Sequence, residues 1–249
     1  MTTKIKVLLF KTLLSCTLLI CSIVCAKEIN IATVDTSNRG YLNADGQVLG
    51  SSYEIVNSIV NDSGFTYKNT LMPFGRVLGY LGSGDIDVAL LVPNETTNKV
   101  SIPLEYIQDV NFIVVGRNNL SIKRLTDIRG KSVGYLRLTP TAVEALKSLD
   151  VMKVEGSKYS HMIEMLMRGR IDVLFGPESN IFWALKNLGY ARQELGEPLL
   201  IEKLDMYLVY SKKVADKSIM SALTSSAKKL KANNTIQEII HKYEDSKPH

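Results

Sequence analysis

Cysteine is scarce in this chain of 249 residues, and all three cysteines lie within the first 26 positions. That segment combines three lysines with an apolar run from Leu13 to Val24, and it ends in Val24-Cys25-Ala26. The pattern is typical of a secretory signal peptide, which we expect to be cleaved after Ala26. The mature chain then has no cysteine, which excludes disulfides and thiol catalysis.

A retained anchor helix is the alternative, but the apolar run is shorter than the roughly 20 residues that a bilayer core requires. Lipid attachment at Cys25 or Cys21 is disfavoured because a large residue precedes each one. Cys16 has a better local context, yet lipid attachment there would leave the rest of the apolar run at the start of the mature chain. No second long apolar run follows, so we expect the mature chain to be soluble. The signal segment predicts export to the periplasm.

The mature chain also lacks a large excess of either charge. The signal segment holds three basic residues and no acidic ones, so the remaining 27 basic and 25 acidic residues give a net charge of +2. This balance offers no electrostatic argument for nucleic-acid binding. Histidine occurs only at positions 161, 241 and 249, which are scattered. The sequence therefore predicts neither a metal site nor a Ser/His/Asp arrangement, and no cofactor.

An internal repeat gives the first indication of the fold. The phrase Gly84-Asp85-Ile86-Asp87-Val88 returns 85 positions later as Gly169-Arg170-Ile171-Asp172-Val173. In both copies a helical segment stops at the glycine, an apolar strand follows, and a proline ends the strand. We expect two similar α/β lobes, with Asp87 and Asp172 in structural roles. Ligands of open α/β sheets bind beyond the carboxyl ends of the strands, which makes the following segments the candidate site.

The order of several phrases along the mature chain resembles the family 3 solute-binding proteins, the periplasmic receptors of transporters for polar amino acids and related solutes. The matching segments are Ile29 to Val34, Gly50 with the helix after it, Phe74 to Val88, Thr96 to Lys99, Leu125 to Gly134 and Gly169 to Val173. The resemblance implies an α/β, two-lobed type 2 periplasmic-binding-protein fold with two crossover hinge strands, near Tyr106 to Asn111 and Leu204 to Tyr207. Lobe 1 would comprise 27–108 and 207–249, and lobe 2 would comprise 109–206. Hinge closure would bury the ligand between them.

Three departures from the family pattern affect the choice of ligand. Lys99 stands where amino-acid binders of the family place an arginine, and a lysine offers a point charge instead of a planar fork. Gly176-Pro177 stands where the family places an aspartate for the α-ammonium, unless Glu178 replaces it. The carboxylate-binding turn is altered, although Thr139 and Thr141 still precede a helix N-terminus with free N–H groups.

The candidate ligand-binding residues each have an ordinary structural alternative. Phe74 would stack on the ligand or belong to the core, and Arg76 would donate to an anion or be solvated. Asp35 and Thr36 leave the first strand towards the cleft or form a simple turn. Surface positions are the alternatives for Lys99 and Glu178, and core packing is favoured for Trp183. The full set is Lys99, Phe74, Arg76, Asp35, Thr36, Thr139, Thr141 and Glu178.

The resemblance implies a non-enzymatic receptor that passes a small polar solute, anionic or zwitterionic, to an inner-membrane ABC-type permease. Two alternatives remain open. The protein would be the ligand-sensing partner of a membrane signalling receptor, or a dehydratase-like enzyme on the same fold, for which Glu178 is the one obvious acid or base. We expect a monomer.

Overall fold

The computed structural model describes residues 27–137 and 144–245, and a single mixed sheet of eight strands runs through it. The spatial order is β4-β1-β5-β10-β6-β9-β7-β8, and β2 and β3 form a separate hairpin. The strands are β1 Ile29–Val34, β2 Tyr41–Leu42, β3 Val48–Leu49, β4 Tyr67–Met72, β5 Val88–Leu91, β6 Ser101–Gly116, β7 Ser132–Leu136, β8 Met152–Gly156, β9 Val173–Pro177 and β10 Leu199–Ser211.

Helices cover both faces of this sheet. In β1, Ile31 packs in one apolar cluster and its neighbour Ala32 in another, because successive side chains of a strand point to opposite faces. The helices are α1 Ser51–Asp62, α2 Phe74–Ser83, α3 Glu95–Val100, α4 Tyr159–Met167, α5 Glu178–Asn187, α6 Lys217–Ala232 and α7 Thr235–Asp245. Helices α1, α6 and α7 contribute to the Ile31 cluster, α2 to the Ala32 cluster, and α4 and α5 to a third.

The three strands at each end of the sheet repeat one arrangement. Strand β1 is parallel to β4 and β5, β7 is parallel to β8 and β9, and β5 and β9 each pair antiparallel with a long central strand. The predicted repeat is thus confirmed as two equivalent α/β units. Gly84 and Gly169 have φ angles of 87° and 69°, the left-handed conformation expected of glycine after a helix.

The repeated aspartates have the structural role that the sequence predicted. Asp87 accepts a hydrogen bond from the backbone N–H of Asn30 at the start of β1, at 2.9 Å. Asp172 accepts the equivalent bond from the backbone N–H of Ser132 at the start of β7, at 2.8 Å. Each carboxylate therefore ties the repeated phrase to the first strand of its own unit. Lys27 completes the first site by pairing with Asp87 at 2.7 Å.

The long antiparallel pair β6 and β10 joins the two units. Its register is interrupted at three places, one of them between Met206 and Tyr207. The chain runs from the first unit to the second along β6 and returns along β10, and Leu199 at the start of β10 pairs with Val114. Both predicted crossings lie within these strands. The predicted lobe boundaries at 108/109 and 206/207 also lie within them, and these boundaries stay predictions.

Several predicted elements needed correction. The strand predicted from Asn111 begins ten residues earlier, at Ser101, and strand β8 was not predicted. The helix predicted as continuous from Val214 to Tyr243 is two helices, because Asn234 adopts a left-handed φ of 65° between them. Among the described helices, none combines the length and apolar character needed to cross a membrane.

Candidate functional site

A cleft of about 340 Å³ lies at the carboxyl ends of the parallel strands and is lined by both α/β units. From the first unit, Asp35 and Thr36 follow β1 and Phe74 follows β4. From the second unit, Arg137 follows β7 and Ser157 follows β8. This is the edge where open α/β sheets bind ligands, and its volume falls within the roughly 300 to 1,000 Å³ of small-molecule sites.

The wall of the cleft is mainly apolar. Its apolar side chains come from strands β1, β5, β6 and β10 and from the first residue of α2, namely Val34, Leu90, Val110, Phe112, Met206 and Phe74. Polar side chains interrupt this surface, among them those of Thr33, Ser52, Asn94 and Asn180. A lining of this kind removes apolar ligand surface from water, while its polar groups fix the orientation of the ligand.

Arg39 is a buried cation in this wall. It ends the short 3₁₀ turn Ser37–Arg39 after β1, and only 9% of the residue is exposed. Its Nη1 lies 3.7 Å from the thioether sulfur of Met206, a weak acceptor. No carboxylate of the described residues lies within 4.0 Å of its guanidinium. Burial lowers the pKa of Arg39 to about 10.

Tyr159, the first residue of α4, lines the cleft from the second unit. Burial raises the pKa of its hydroxyl, so the phenol is neutral. A Cβ atom at Gly176 would lie 2.3 Å from the Tyr159 oxygen, so residue 176 has room for no side chain while Tyr159 keeps this position. The Tyr159 ring therefore occupies the space that a side chain at position 176 would need.

The two units also contact each other directly at the side of the cleft. Asn180 of α5 donates a hydrogen bond from Nδ2 to the hydroxyl oxygen of Thr36 at 2.9 Å, and its carbonyl accepts one from Ser37 at 3.1 Å. Trp183, one turn further along α5, packs its ring against Tyr41 with centroids 5.0 Å apart. Trp183 is half-buried, and its contact bridges the two units. We call Thr36, Ser37, Tyr41, Asn180 and Trp183 the inter-unit latch.

A second, polar cavity of about 230 Å³ lies behind Arg39, on the side of the crossing strands. Glu178 lies here and accepts a hydrogen bond from Asn111 at 3.0 Å. Asp109 pairs with Lys203 in the same cavity. The amide oxygen of Asn38, a residue that is 4% exposed, faces no hydrogen-bond donor among the described residues. Arg39 lines both cavities and therefore forms part of the wall between them.

The structure brings together only some of the predicted site residues. Asp35, Thr36 and Phe74 line the cleft, whereas Glu178 lies in the polar cavity. Lys99 pairs with Glu95 of the same helix at 3.0 Å, its side chain is 69% exposed, and it is outside the lining of the cleft.

Arg76 is exposed and likewise outside the lining. Thr139 and Thr141 lie outside the described residues. Sequence reasoning missed Arg39, Arg137 and Tyr159. The position of Arg39 just after β1 was a signal, but its burial depends on packing between the two units.

The groups that line the cleft can contact a ligand through charge, hydrogen bonds and apolar surface. The described lining contains no histidine, and the described parts of the chain hold no cluster of three or more metal-ligating side chains. What the cleft offers is one buried guanidinium, a second arginine at position 137, a neutral phenol, a carboxylate at Asp35 and an apolar wall. These groups suit a small ligand with an anionic end.

Comparison with known proteins agrees with this arrangement. The sequence profile of the bacterial extracellular solute-binding proteins, family 3, matches residues 29–246. The chain is 21% identical over 224 residues to the probable amino-acid-binding protein YxeM of Bacillus subtilis (strain 168), covering 86% of this chain and 84% of the relative.

Two solved structures share the fold at low identity. The amino acid ABC transporter substrate-binding protein AbpA of Streptococcus pneumoniae, bound to L-arginine, superposes with a TM-score of 0.76 at 19% identity, covering 90% of this chain and 97% of that one. A histidine kinase sensor domain with similarity to periplasmic binding proteins gives 0.75 at 15% identity, covering 88% and 96%. The fold is that of the type 2 periplasmic binding proteins, and the chain belongs to the bacterial extracellular solute-binding proteins of family 3.

Proposed function

We propose that this protein is a periplasmic receptor that captures a small amino-acid-like solute in the cleft and passes it to an inner-membrane ABC permease. The observation that carries the proposal is the cleft itself, because both α/β units line it at the carboxyl ends of their strands. Closing two units around a solute buries the solute from water. Membership of the family supports a binding role over an enzymatic one.

Asp35, Thr36 and Phe74 are the proposed ligand contacts among the residues that the sequence singled out. Phe74 is half-buried in the lining, where its ring offers apolar contact area. Asp35 is exposed at the cleft and suits a cationic group of the solute. Thr36 is already engaged by Asn180, so it contributes mainly to the position of the loop.

A thermal-shift screen of purified residues 27–249 against the twenty L-amino acids and a panel of small carboxylates tests the receptor function. A solute at 100 times its dissociation constant stabilises the folded state by about 2.7 kcal/mol. For a chain of this length that raises Tm by roughly 5 to 10 °C. Calorimetry then confirms one-to-one binding. A panel without any stabilising solute, or turnover of a bound solute to a product, would contradict the proposal.

Export is tested separately. We expect the protein recovered from the periplasm to begin at Lys27, which mass spectrometry of the intact protein measures directly. Lys27 already forms the ion pair with Asp87, so the mature N-terminus would be held at the edge of β1. Recovery of the protein with residues 1–26 attached, or with a lipid on a cysteine, would contradict cleavage after Ala26.

Delivery to a membrane sensor is the second candidate, favoured by the likeness to a histidine kinase sensor domain. Once a ligand is known, cells that lack the protein separate the two roles. Loss of ligand uptake supports the permease. Normal uptake with loss of a ligand-dependent change in transcription supports the sensor.

A further inference from the structure

We propose that Arg39 binds the anionic group of the ligand and that the ligand is a small carboxylate with an apolar body. The inference rests on the proposed receptor function and assigns the chemistry of the cleft. It depends on three features: a buried guanidinium without an acidic partner, an apolar wall around it, and the positions of the other cations.

The nearby carboxylates do not neutralise Arg39. In the polar cavity, Asp109 pairs with Lys203, and Glu178 accepts its hydrogen bond from Asn111. Glu244 approaches His241 at 3.7 Å and acts on Arg39 only from beyond contact distance. Among the described residues, the guanidinium therefore has only a thioether as its side-chain acceptor.

A buried charge without a partner is costly, because transfer from water disfavours the ionised form. The five N–H donors of a guanidinium form a planar fork that matches the two oxygens of a carboxylate. A ligand carboxylate entering the cleft would supply the missing partner in a site that is already shielded from water. The guanidinium thus contributes binding energy that the ligand-free protein does not use.

The surroundings of Arg39 define the rest of the ligand. Val110, Phe112 and Met206 are buried side chains that line the cleft beside it, and Tyr159 contributes a neutral hydroxyl. The carboxylate of the described lining is that of Asp35, which is exposed. Thr33, Ser52 and Asn180 are buried polar residues of the same lining, and the side chains of Thr33 and Asn180 already hydrogen-bond Asn69 and Thr36. The wall beside Arg39 therefore suits a mainly apolar body, and a cationic group on the ligand would reach only the exposed side of the cleft.

Two other cations are placed less favourably for the anionic group. Arg137 lines the cleft, but its side chain is 76% exposed and lies 3.7 Å from the carboxylate of Glu155. Lys99 pairs with Glu95 on an exposed helix outside the lining. Screening by water weakens both sites relative to a buried guanidinium.

Calorimetry on residues 27–249 tests the inference with matched probes: hexanoate, 3-phenylpropionate, 3-phenylpropionamide, L-leucine and L-phenylalanine. Wild-type protein should bind at least one carboxylate and reject the matched amide. Arg39→Met should weaken that binding about 10- to 100-fold, the effect of losing a charged hydrogen bond. Arg39→Lys, which keeps the charge without the fork, should lose less.

Arg129→Met is the control, because Arg129 is exposed and lines neither cavity, and its affinity should equal that of wild type. Lys99→Ala should weaken binding less than Arg39→Met does. Stronger binding of L-phenylalanine than of 3-phenylpropionate, still dependent on Arg39, supports the same chemistry with Asp35 receiving the ammonium. Arg39→Gln provides a second uncharged variant if the methionine variant does not fold.

Three results would overturn the inference: equal affinity for the amide, unchanged affinity in Arg39→Met, or a larger loss in Lys99→Ala. If wild-type protein binds none of these probes but binds a polar amino acid from the first screen, the ligand class is wrong while the receptor function stands. If it binds no solute in either screen, the receptor function itself fails.

Discussion

Replacing Arg39 by methionine should stabilise the ligand-free protein. The folded state holds this guanidinium at a site where burial lowers its pKa from 12.5 to about 10. At 1.36 kcal/mol per pKa unit, the difference corresponds to about 3 kcal/mol of unfavourable free energy. Both pKa values lie above 7, so the cost is fully present at neutral pH and is relieved only as the pH rises above about 10.

Methionine keeps an unbranched apolar side chain of similar reach and carries no charge. The loss of the attraction to Glu244, together with imperfect filling of the site, offsets part of the gain. We therefore expect the free energy of unfolding to increase by about 1 to 3 kcal/mol. For a chain of this length, Tm should rise by roughly 2 to 12 °C.

Urea unfolding at pH 7, with calorimetric Tm values, measures the effect without any ligand. Arg129→Met is the matched control and should shift the stability by no more than about 0.5 kcal/mol. A decrease in stability of Arg39→Met by 1 kcal/mol or more would refute the reasoning, because it would mean that the guanidinium makes stabilising contacts in the ligand-free fold.

Gly176→Ala should lower the free energy of unfolding, measured in urea, by about 1 to 3 kcal/mol, because the new Cβ would lie 2.3 Å from the Tyr159 oxygen. An equal loss of stability from the same substitution in a Tyr159→Leu protein would exclude this clash as the cause. Asn180→Ala combined with Trp183→Ala removes the two side-chain contacts that α5 makes in the inter-unit latch and leaves the bond from Ser37 to the backbone carbonyl of residue 180. Small-angle scattering of this ligand-free variant should give a larger radius of gyration than wild type, and an unchanged radius would show that these side chains do not hold the units together. Hydrogen bonds from Ser132 lower the pKa of Asp172, so its stabilising contribution is present above its ordinary pKa of 3.8 and is lost as the pH falls through the folded-state value. Asp172→Asn should therefore be less stable at pH 7 and less sensitive to acid; parallel stability curves from pH 7 to pH 3 would contradict that role.

The sequence predicted the elements whose signals are local. The apolar residues of β1 and the glycine that ends α2 were placed correctly, because strand burial and a left-handed C-cap leave direct marks in the sequence. The repeat predicted two equivalent units, which the pairing of β5 and β9 confirms. The interruption between α6 and α7 at Asn234 was missed, because an asparagine within a helical pattern does not by itself indicate a left-handed conformation.

The site was harder to predict than the fold. Asp35 was chosen because it directly follows β1, and Phe74 was chosen by its match to a family position; both line the cleft. Arg39 was missed because its burial arises from residues remote in sequence, such as Met206. Position 99 was chosen by its match to a family motif, and a motif does not report how far a side chain is exposed.

The pairing of Leu199 with Val114 makes the second unit an insertion with adjoining ends. Gly196 donates a further backbone hydrogen bond to Gly116 at 3.0 Å, so the two long strands that carry the chain between the units end side by side. A short hairpin turn across this point would close the first unit on itself. The same geometry lets the segment between Gly116 and Gly196 change in length without moving β6 relative to β10.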